Sequence, residues 1–322
     1  MKIPINTPDI GEEEIREVRK VLSEKSLTSS SFDGGTRVQQ FEKLLSKFAK
    51  SKFAVAVNSG TAALQASLYA LDIKSGDEVL IPSFTFVATA NSVKSVGAKP
   101  VFVDILKDNY TMDPDDLRKK ITKRTKAVIP VHLYGHIAYM KEILEITTKN
   151  NLKTIEDASQ SLGSKLNGKH SGTFSHLGCF SLYAAKVMTS GEGGAIVTDD
   201  KKLFEKLKQI RNHGLSKNHI TTTFGLNLRL PEINAAIAKV QMKKLPILLR
   251  KRKNNAQILT ELLKNYDIIL PKQRKSETHN CYLYTIALKN RNNAMKKLNS
   301  SGIGASVYYS PPIHKTPYYK TK

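Results

Sequence analysis

Apolar positions along the chain follow two periods. Ile15, Val18, Val21 and Leu22 recur at helical spacing, and residues 38–48 carry a second amphipathic stripe. Asp9-Ile10-Gly11-Glu12 resembles a capping box for the first of these helices, with Asp9 as N-cap. The stretch 27–36, LTSSSFDGGT, is a loop by composition. Phe53-Ala54-Val55-Ala56-Val57 is then a continuous apolar run of strand length. Asn58-Ser59-Gly60-Thr61 and a helical run at 62–71 follow it at once. The alternation continues. Strands are predicted at 78–82, 100–105, 126–133 and 152–157, and helices at 85–96, 114–121 (opened by Asp113 and Pro114) and 140–149.

Strands alternating with helices, with apolar runs rather than in-out alternation, predict an α/β fold. Its mostly parallel sheet is covered by helices on both faces, a three-layer αβα arrangement. Ligands of such sheets lie beyond the carboxyl ends of the strands. Thr61, Phe86, Asp157 and Gln160 all lie at or just after such ends. Ser59-Gly60-Thr61 joins a strand to a helix N-terminus, whose free N–H groups attract an anion. Two further strand-like runs, 178–183 and 195–197, bracket Lys186 and the turn Gly191-Glu192-Gly193-Gly194. By strand alternation Cys179, Ser181 and Tyr183 share a face. A lysine buried there loses hydration, and its neutral amine, able to join an aldehyde as a Schiff base, becomes reachable near pH 7.

Further on, 203–210 is helical, and the loop 225–230 leads to a helix that starts at Pro231 and runs to about 253. Strands at 282–288 and 305–309 with a helix at 292–298 suggest a smaller α+β domain from about residue 246. The expected division is 1–245 and 246–322. No internal repeat is visible.

Composition changes this picture little. The chain has 322 residues, 40% hydrophobic and 25% charged, and no apolar run near the roughly 20 residues of a membrane span. The N-terminus lacks the apolar core of a secretory signal. Cys179 and Cys281 form no disulfide framework and no metal-ligand spacing. A cytoplasmic setting fits, with no metal and no membrane partner. The net charge of +23 raises nucleic acid as a partner, but the lysines are spread along the chain rather than gathered in an arginine-rich block. The densest cluster, Leu249-Arg250-Lys251-Arg252-Lys253, reads as a solvated face, and no nucleic-acid partner is expected. An anionic small substrate accounts for the charge more simply.

Taken together, Asn58-Ser59-Gly60-Thr61-Ala62-Ala63-Leu64, Pro82-Ser83-Phe84-Thr85-Phe86-Val87-Ala88-Thr89, Glu156-Asp157-Ala158-Ser159-Gln160, Phe180-Ser181 with Lys186, Gly191-Glu192-Gly193-Gly194, and Asn227 with Arg229 resemble the DegT/DnrJ/EryC1/StrS family of sugar aminotransferases. The resemblance covers nearly the whole chain. It implies the aspartate-aminotransferase fold, type I, with pyridoxal 5'-phosphate as cofactor. Lys186 would hold the cofactor as a Schiff base and shuttle a proton during transamination. Asp157 would keep the pyridine nitrogen protonated, Gln160 would sit by the phenolic oxygen, and Phe86 would stack on the ring. Gly60, Thr61 and Ser181 would hold the phosphate, joined by Asn227 from the neighbouring subunit of a homodimer with shared sites. Tyr183, Arg229 and His314 are the candidate substrate contacts. A related branch of dehydratases carries histidine in place of this lysine, so Lys186 favours transamination. The implied partners are an amino-acid donor, commonly glutamate, and a nucleotide-linked keto-sugar, as in amino-sugar and surface-polysaccharide biosynthesis. A non-nucleotide ketone such as a cyclitol, or a regulatory homologue of weak activity, is the alternative. Family members usually add a last strand and helix after the stretch matched by 311–319, so a shortened small domain is also implied.

Overall fold

A computed structural model of the chain describes residues 2–320. Helices α1 (Glu12–Ser23) and α2 (Thr36–Ala49) lead into strand β1 (Phe53–Val57) and helix α3 (Gly60–Ala70). Then come β2 (Glu78–Pro82), α4 (Ala88–Ser95), β3 (Lys99–Val103), α5 (Pro114–Lys120), β4 (Thr125–Val128), α6 (Met140–Lys149) and β5 (Lys153–Asp157). The short β6 (Lys165–Leu166) and β7 (Lys169–His170) precede β8 (Leu177–Ser181), β9 (Gly194–Thr198), α7 (Lys201–Arg211) and the long α8 (Glu232–Leu263). The chain continues through β10 (Glu277–Thr278), α9 (Arg291–Ser300) and α10 (Pro317–Lys320).

The main sheet has seven strands in the order β1-β9-β8-β5-β4-β2-β3. Only β9 runs against its neighbours; the other pairings are parallel. The carboxyl ends of all strands but β9 therefore meet along one edge. Both faces are covered, which is why the strands read as continuous apolar runs. On β1, Val55 and Val57 pack with α3 and α7, while Ala54 and Ala56 pack with α2 and α8. A third cluster, including Leu80, Val128, Ile143 and Ile146, fills the space under α5 and α6. The arrangement matches the three-layer expectation and fold type I. A small sheet of order β10-β6-β7 lies outside it.

Several element boundaries differ from the sequence pattern, each for a traceable reason. The N-cap of α1 is Gly11, whose N–H donates to Glu14 Oε2 at 2.9 Å, and not Asp9. Asp9 is drawn away to α8, its carbonyl accepting from Gln241 and its carboxylate facing Lys251. The helix expected from residue 85 starts at Ala88, and the strand expected over 126–133 ends at Val128. In both places the chain turns over the strand ends instead. Helix α8 passes Pro246 without a break and runs ten residues beyond 253, so the basic cluster 249–253 lies inside it. Its second half is held by Arg252, donating to the Cys281 and Tyr282 carbonyls, and by Thr260, bonded to the Tyr284 hydroxyl at 2.8 Å. Residues 282–288 therefore lie against α8 and form no strand beyond an isolated bridge between Ile269 and Ala287. Residues 305–309 also form no strand. The Asn299 side chain bonds both backbone groups of Ala305, and Tyr308 and Tyr309 then turn toward the sheet edge. Among the described residues no helix is long and apolar enough to cross a membrane.

Candidate active site

Where β1 ends, Ser59 caps α3: its Oγ accepts the Ala62 N–H at 3.0 Å. The N–H groups of Gly60 and Thr61, in the first turn, have no acceptor within the helix. Ser181 closes in at the end of β8. A Cβ on Gly60 would stand 2.8 Å from that of Ser181, so only glycine admits the approach. The result is a polar cradle of two backbone donors and one hydroxyl.

Asp157 ends β5 and is 5% exposed. Its Oδ2 accepts the Thr89 hydroxyl at 2.9 Å and its Oδ1 the Ser159 N–H at 3.2 Å. Its backbone is fixed on both sides, N–H to the Pro130 carbonyl and carbonyl from the His132 N–H. The adjacent Glu156 points away from the cavity and is fully buried. It accepts N–H groups from Gly172, Phe174 and Ser175, each within 2.8 Å, and faces His132 Nε2 at 2.8 Å. His132 Nδ1 accepts the Ala138 N–H, which puts the ring proton on Nε2, toward Glu156. The strand end that carries Asp157 is thus braced by a buried network beside it, while Thr89 and Ser159 on the cavity wall hold the carboxylate itself.

Lys186 follows β8 in a turn whose N–H reaches the Tyr183 carbonyl at 2.9 Å. Its Nζ lies 4.8 Å from the centroid of the Tyr282 ring. Burial lowers its pKa to about 8, against the opposing charge of Asp157. Behind it the glycine turn doubles back, Gly191 in the left-handed region, with Asn234 Nδ2 donating to the carbonyls of Ser190 and Glu192.

Gln160 uses both ends of its amide. Oε1 accepts the Tyr134 N–H at 2.8 Å, and Nε2 donates to the Tyr309 hydroxyl at 2.9 Å. Tyr309 lies 5.9 Å from Phe86, ring to ring. Burial raises the pKa of Tyr309 and pushes Tyr282 up to about 12, so both phenols keep their protons at neutral pH. Phe86 and Tyr183 stand at the mouth, each half-exposed.

Together these residues enclose a cavity of about 370 Å³. Gly60, Thr61, Phe86, Asp157, Gln160, Ser181, Tyr183 and Lys186, all singled out from sequence, line it. Asn227, Arg229 and His314 do not. Asn227 is exposed, and its carbonyl faces Asn58 Nδ2 at 3.4 Å. Arg229 donates to Asn212 Oδ1 at 2.7 Å. The His314 ring lies 6.2 Å from that of Phe102. Sequence reasoning missed Ser59, Thr89, Tyr282, Tyr308 and Tyr309 as cavity residues, and gave Glu192 no role although it also lines the wall. Ser59 and Thr89 lay inside motifs already recognised. The tyrosines came from segments misread as strands.

The donor set fits pyridoxal 5'-phosphate. Neutral donors at a helix N-terminus suit a phosphate, and a lysine amine suits an aldehyde. Asp157, with only two hydrogen bonds accepted, keeps lone pairs for a ring N–H. The sequence profile of the DegT/DnrJ/EryC1/StrS aminotransferase family matches residues 8–322. A UDP-N-acetyl-3-dehydro-alpha-D-glucosamine 3-aminotransferase of Acidithiobacillus ferrooxidans is 38% identical over 90% of this chain and 79% of its own length. GDP-perosamine synthase of Escherichia coli O157:H7 is 32% identical over 99% of this chain and 88% of its own. Spr1654 of Streptococcus pneumoniae, solved in its PLP-form, superposes with a TM-score of 0.94 at 28% identity, covering 100% of this chain and 88% of that one. The chain belongs to the DegT/DnrJ/EryC1/StrS aminotransferase family and is a pyridoxal-phosphate-dependent aminotransferase.

Proposed function

We propose that the chain moves an amino group from an amino acid, glutamate in this reading, to a ketone on a nucleotide-linked sugar. The observation that carries the reading is one cavity with Lys186, Asp157 and a helix N-terminus on its walls. Relatives named for UDP- and GDP-sugar chemistry support the substrate class.

Bound in this cavity, the cofactor supplies an electron sink that carries the amino group between the two halves of the reaction. Lys186 would attach it, and its Nζ, whose pKa burial lowers to about 8, would take and return the proton at the reacting substrate carbon. Asp157 holds the proton on the cofactor's ring nitrogen, with Thr89 and Ser159 fixing the carboxylate's orientation. Gly60, Thr61 and Ser181 bind the phosphate, and Phe86 covers the ring. Gln160 sits by the phenolic oxygen and holds the Tyr309 hydroxyl beside the substrate space.

The working unit in this reading is a homodimer with shared sites. Asn227, exposed and outside its own chain's cavity, serves the partner's phosphate; Tyr183, on the cavity wall, serves the substrate, and Arg229 and His314, outside that wall, are its further contacts in this reading. In this reading residues 1–245 form the cofactor-binding part, and 246–322 form a smaller domain that adds Tyr282, Tyr308 and Tyr309 to the cavity wall. The product is an amino sugar for surface polysaccharide, made in the cytoplasm. The test is a panel of keto-sugar nucleotides with glutamate as donor, read by mass spectrometry for the amino sugar and for 2-oxoglutarate. Amination of at least one member is expected. Amination of free ketones such as cyclitols, with none of the panel used, would overturn the substrate class.

A further inference from the structure

Lys186 borders a second cavity. It lies behind the first, has a volume of about 270 Å³, and is lined also by Asn6, Thr189, Gln241, Arg252 and Asn255. Its roof is the segment 3–9, which is firmly pinned. Ile3 exchanges backbone hydrogen bonds with Gly302 and Gly304, the Asp9 carbonyl accepts from Gln241 at 2.7 Å, and Asn6 accepts from Arg252 Nη2. The floor is helix α8. Lys186 is a lining residue of both cavities.

The charges in the rear cavity do not balance. Asp9 is answered by Lys251, 3.2 Å away. The guanidinium of Arg252 is answered by nothing negative: among the described residues no carboxylate lies within ion-pair distance of it. Its partners are the carbonyls of Cys281 and Tyr282 and the Asn6 amide oxygen. These occupy part of the five-proton fork and leave the charge uncompensated. A partly buried cation without a counter-charge is costly, and an anion in the adjoining space relieves the cost. Asn255, whose side-chain amide borders the same space, supplies a neutral donor that suits an oxyanion as well.

We infer that the cavity behind Lys186 is an anion site in which Arg252 receives a carboxylate or phosphate oxygen of one of the two reactants. The inference rests on the transamination reading, since both proposed reactants, an amino acid and a nucleotide sugar, carry such groups and must bring a reacting atom to Lys186. Arg252 is a binding residue in this account and takes no part in proton transfer.

The test is equilibrium binding to the cofactor-loaded protein by calorimetry at fixed ionic strength, with 2-oxoglutarate as the dicarboxylate and UDP as the nucleoside diphosphate. Arg252→Gln keeps hydrogen bonding to the carbonyls but removes the charge. It should weaken one of the two probes by about tenfold or more, the loss of a charge-assisted bond. Loss for 2-oxoglutarate alone assigns the site to the donor's carboxylate, and loss for UDP alone assigns it to the sugar nucleotide's phosphate. Asn255→Asp is the second variant. It places a negative charge in the cavity, one helical turn along α8, and leaves Arg252's own bonds in place, so it should weaken the same probe even where Arg252→Gln fails to fold. Arg252→Lys, which restores the charge, should recover most of the affinity. Unchanged affinity for both probes in Asn255→Asp, or a wild-type protein that binds neither, overturns the inference. Binding is read without turnover, so a panel that yields no aminated sugar would fail the substrate class and leave this result standing.

Discussion

The two sides of the active site are built on different principles. One side is the row of strand ends that carries Thr61, Asp157 and Ser181. Its residues are anchored by backbone pairing in the sheet and by buried networks such as that of Glu156, which collects three N–H groups and His132. The other side is the wall of Tyr282, Tyr308 and Tyr309, carried on segments without regular structure. Those segments are held mainly by side-chain bonds: Gln160 to the Tyr309 hydroxyl, Tyr134 Oη to the Tyr308 carbonyl, Arg252 to the Cys281 and Tyr282 carbonyls, and Asn280 Nδ2 to the Gln160 and Leu162 carbonyls. The difference teaches a division of labour. In the proposed reading, the groups assigned to the cofactor sit at the strand ends, and the tyrosines assigned to the substrate space sit on chain outside the sheet.

The sharpest way to break this comparison is on the rigid side. Asp157→Asn keeps shape and removes the charge that holds the ring proton. Cofactor should still bind, while turnover falls by several powers of ten, as when a buried electrostatic partner is lost. Near-normal turnover would show that the carboxylate serves another purpose.

The next prediction concerns the loop that carries Asn227. Asn227→Asp, which sets a carboxylate against a phosphate, and Lys186→Ala should each be close to inactive alone. Mixed and allowed to exchange subunits, they should regain up to about half the wild-type activity per mixed dimer, because one site then collects both lesions and the other none. Mixed dimers that form, as seen by mass spectrometry of tagged chains, and stay inactive would remove Asn227 from the partner's site.

A smaller effect is expected one bond away from the cofactor. Thr89→Val deletes a hydroxyl that donates to Asp157 at 2.9 Å and leaves the volume. The turnover rate should fall about tenfold, the worth of one hydrogen bond to a buried charge, with the melting temperature nearly unmoved. A large loss of stability with unchanged turnover per folded molecule would make Thr89 structural only.

The smallest effect is a shift along the pH axis. Lys186 must be neutral to attach the cofactor, and burial lowers its pKa from 10.5 to about 8. Below that value the amine is mostly protonated, so the rate of cofactor capture by the apoprotein should rise with pH and level off above about 8. A midpoint near 10 in stopped-flow absorbance would mean that the lysine is hydrated and the pocket open.

Legibility in the sequence followed the same division. The strands β1, β2 and β5 and the cavity residues at their ends were readable because local patterns fix them: an apolar run of strand length, a capped helix start, a carboxylate where the run stops. Lys186 was readable from its apolar flanking runs only together with the family motifs around it. The wall of tyrosines was not. Residues 282–288 and 305–309 have the composition of strands, but their paths are set by Arg252, Thr260 and Asn299, and the first of these is thirty residues from the carbonyl it holds at Tyr282. No local pattern encodes such a bond. The same holds for α1, where a distant glutamine and lysine on α8 draw Asp9 out of its expected cap. Helix α8 outran its predicted end because tertiary contacts, not its polar 251–255 stretch, decide where it stops.

The account depends most on one residue, Lys186, which lines both cavities. Borohydride reduction of the cofactor-loaded protein, followed by proteolysis and peptide mapping by mass spectrometry, tests it directly. The account predicts a single stable cofactor adduct, on the peptide that contains Lys186. An adduct on any other lysine, with Lys186 unmodified, would contradict it.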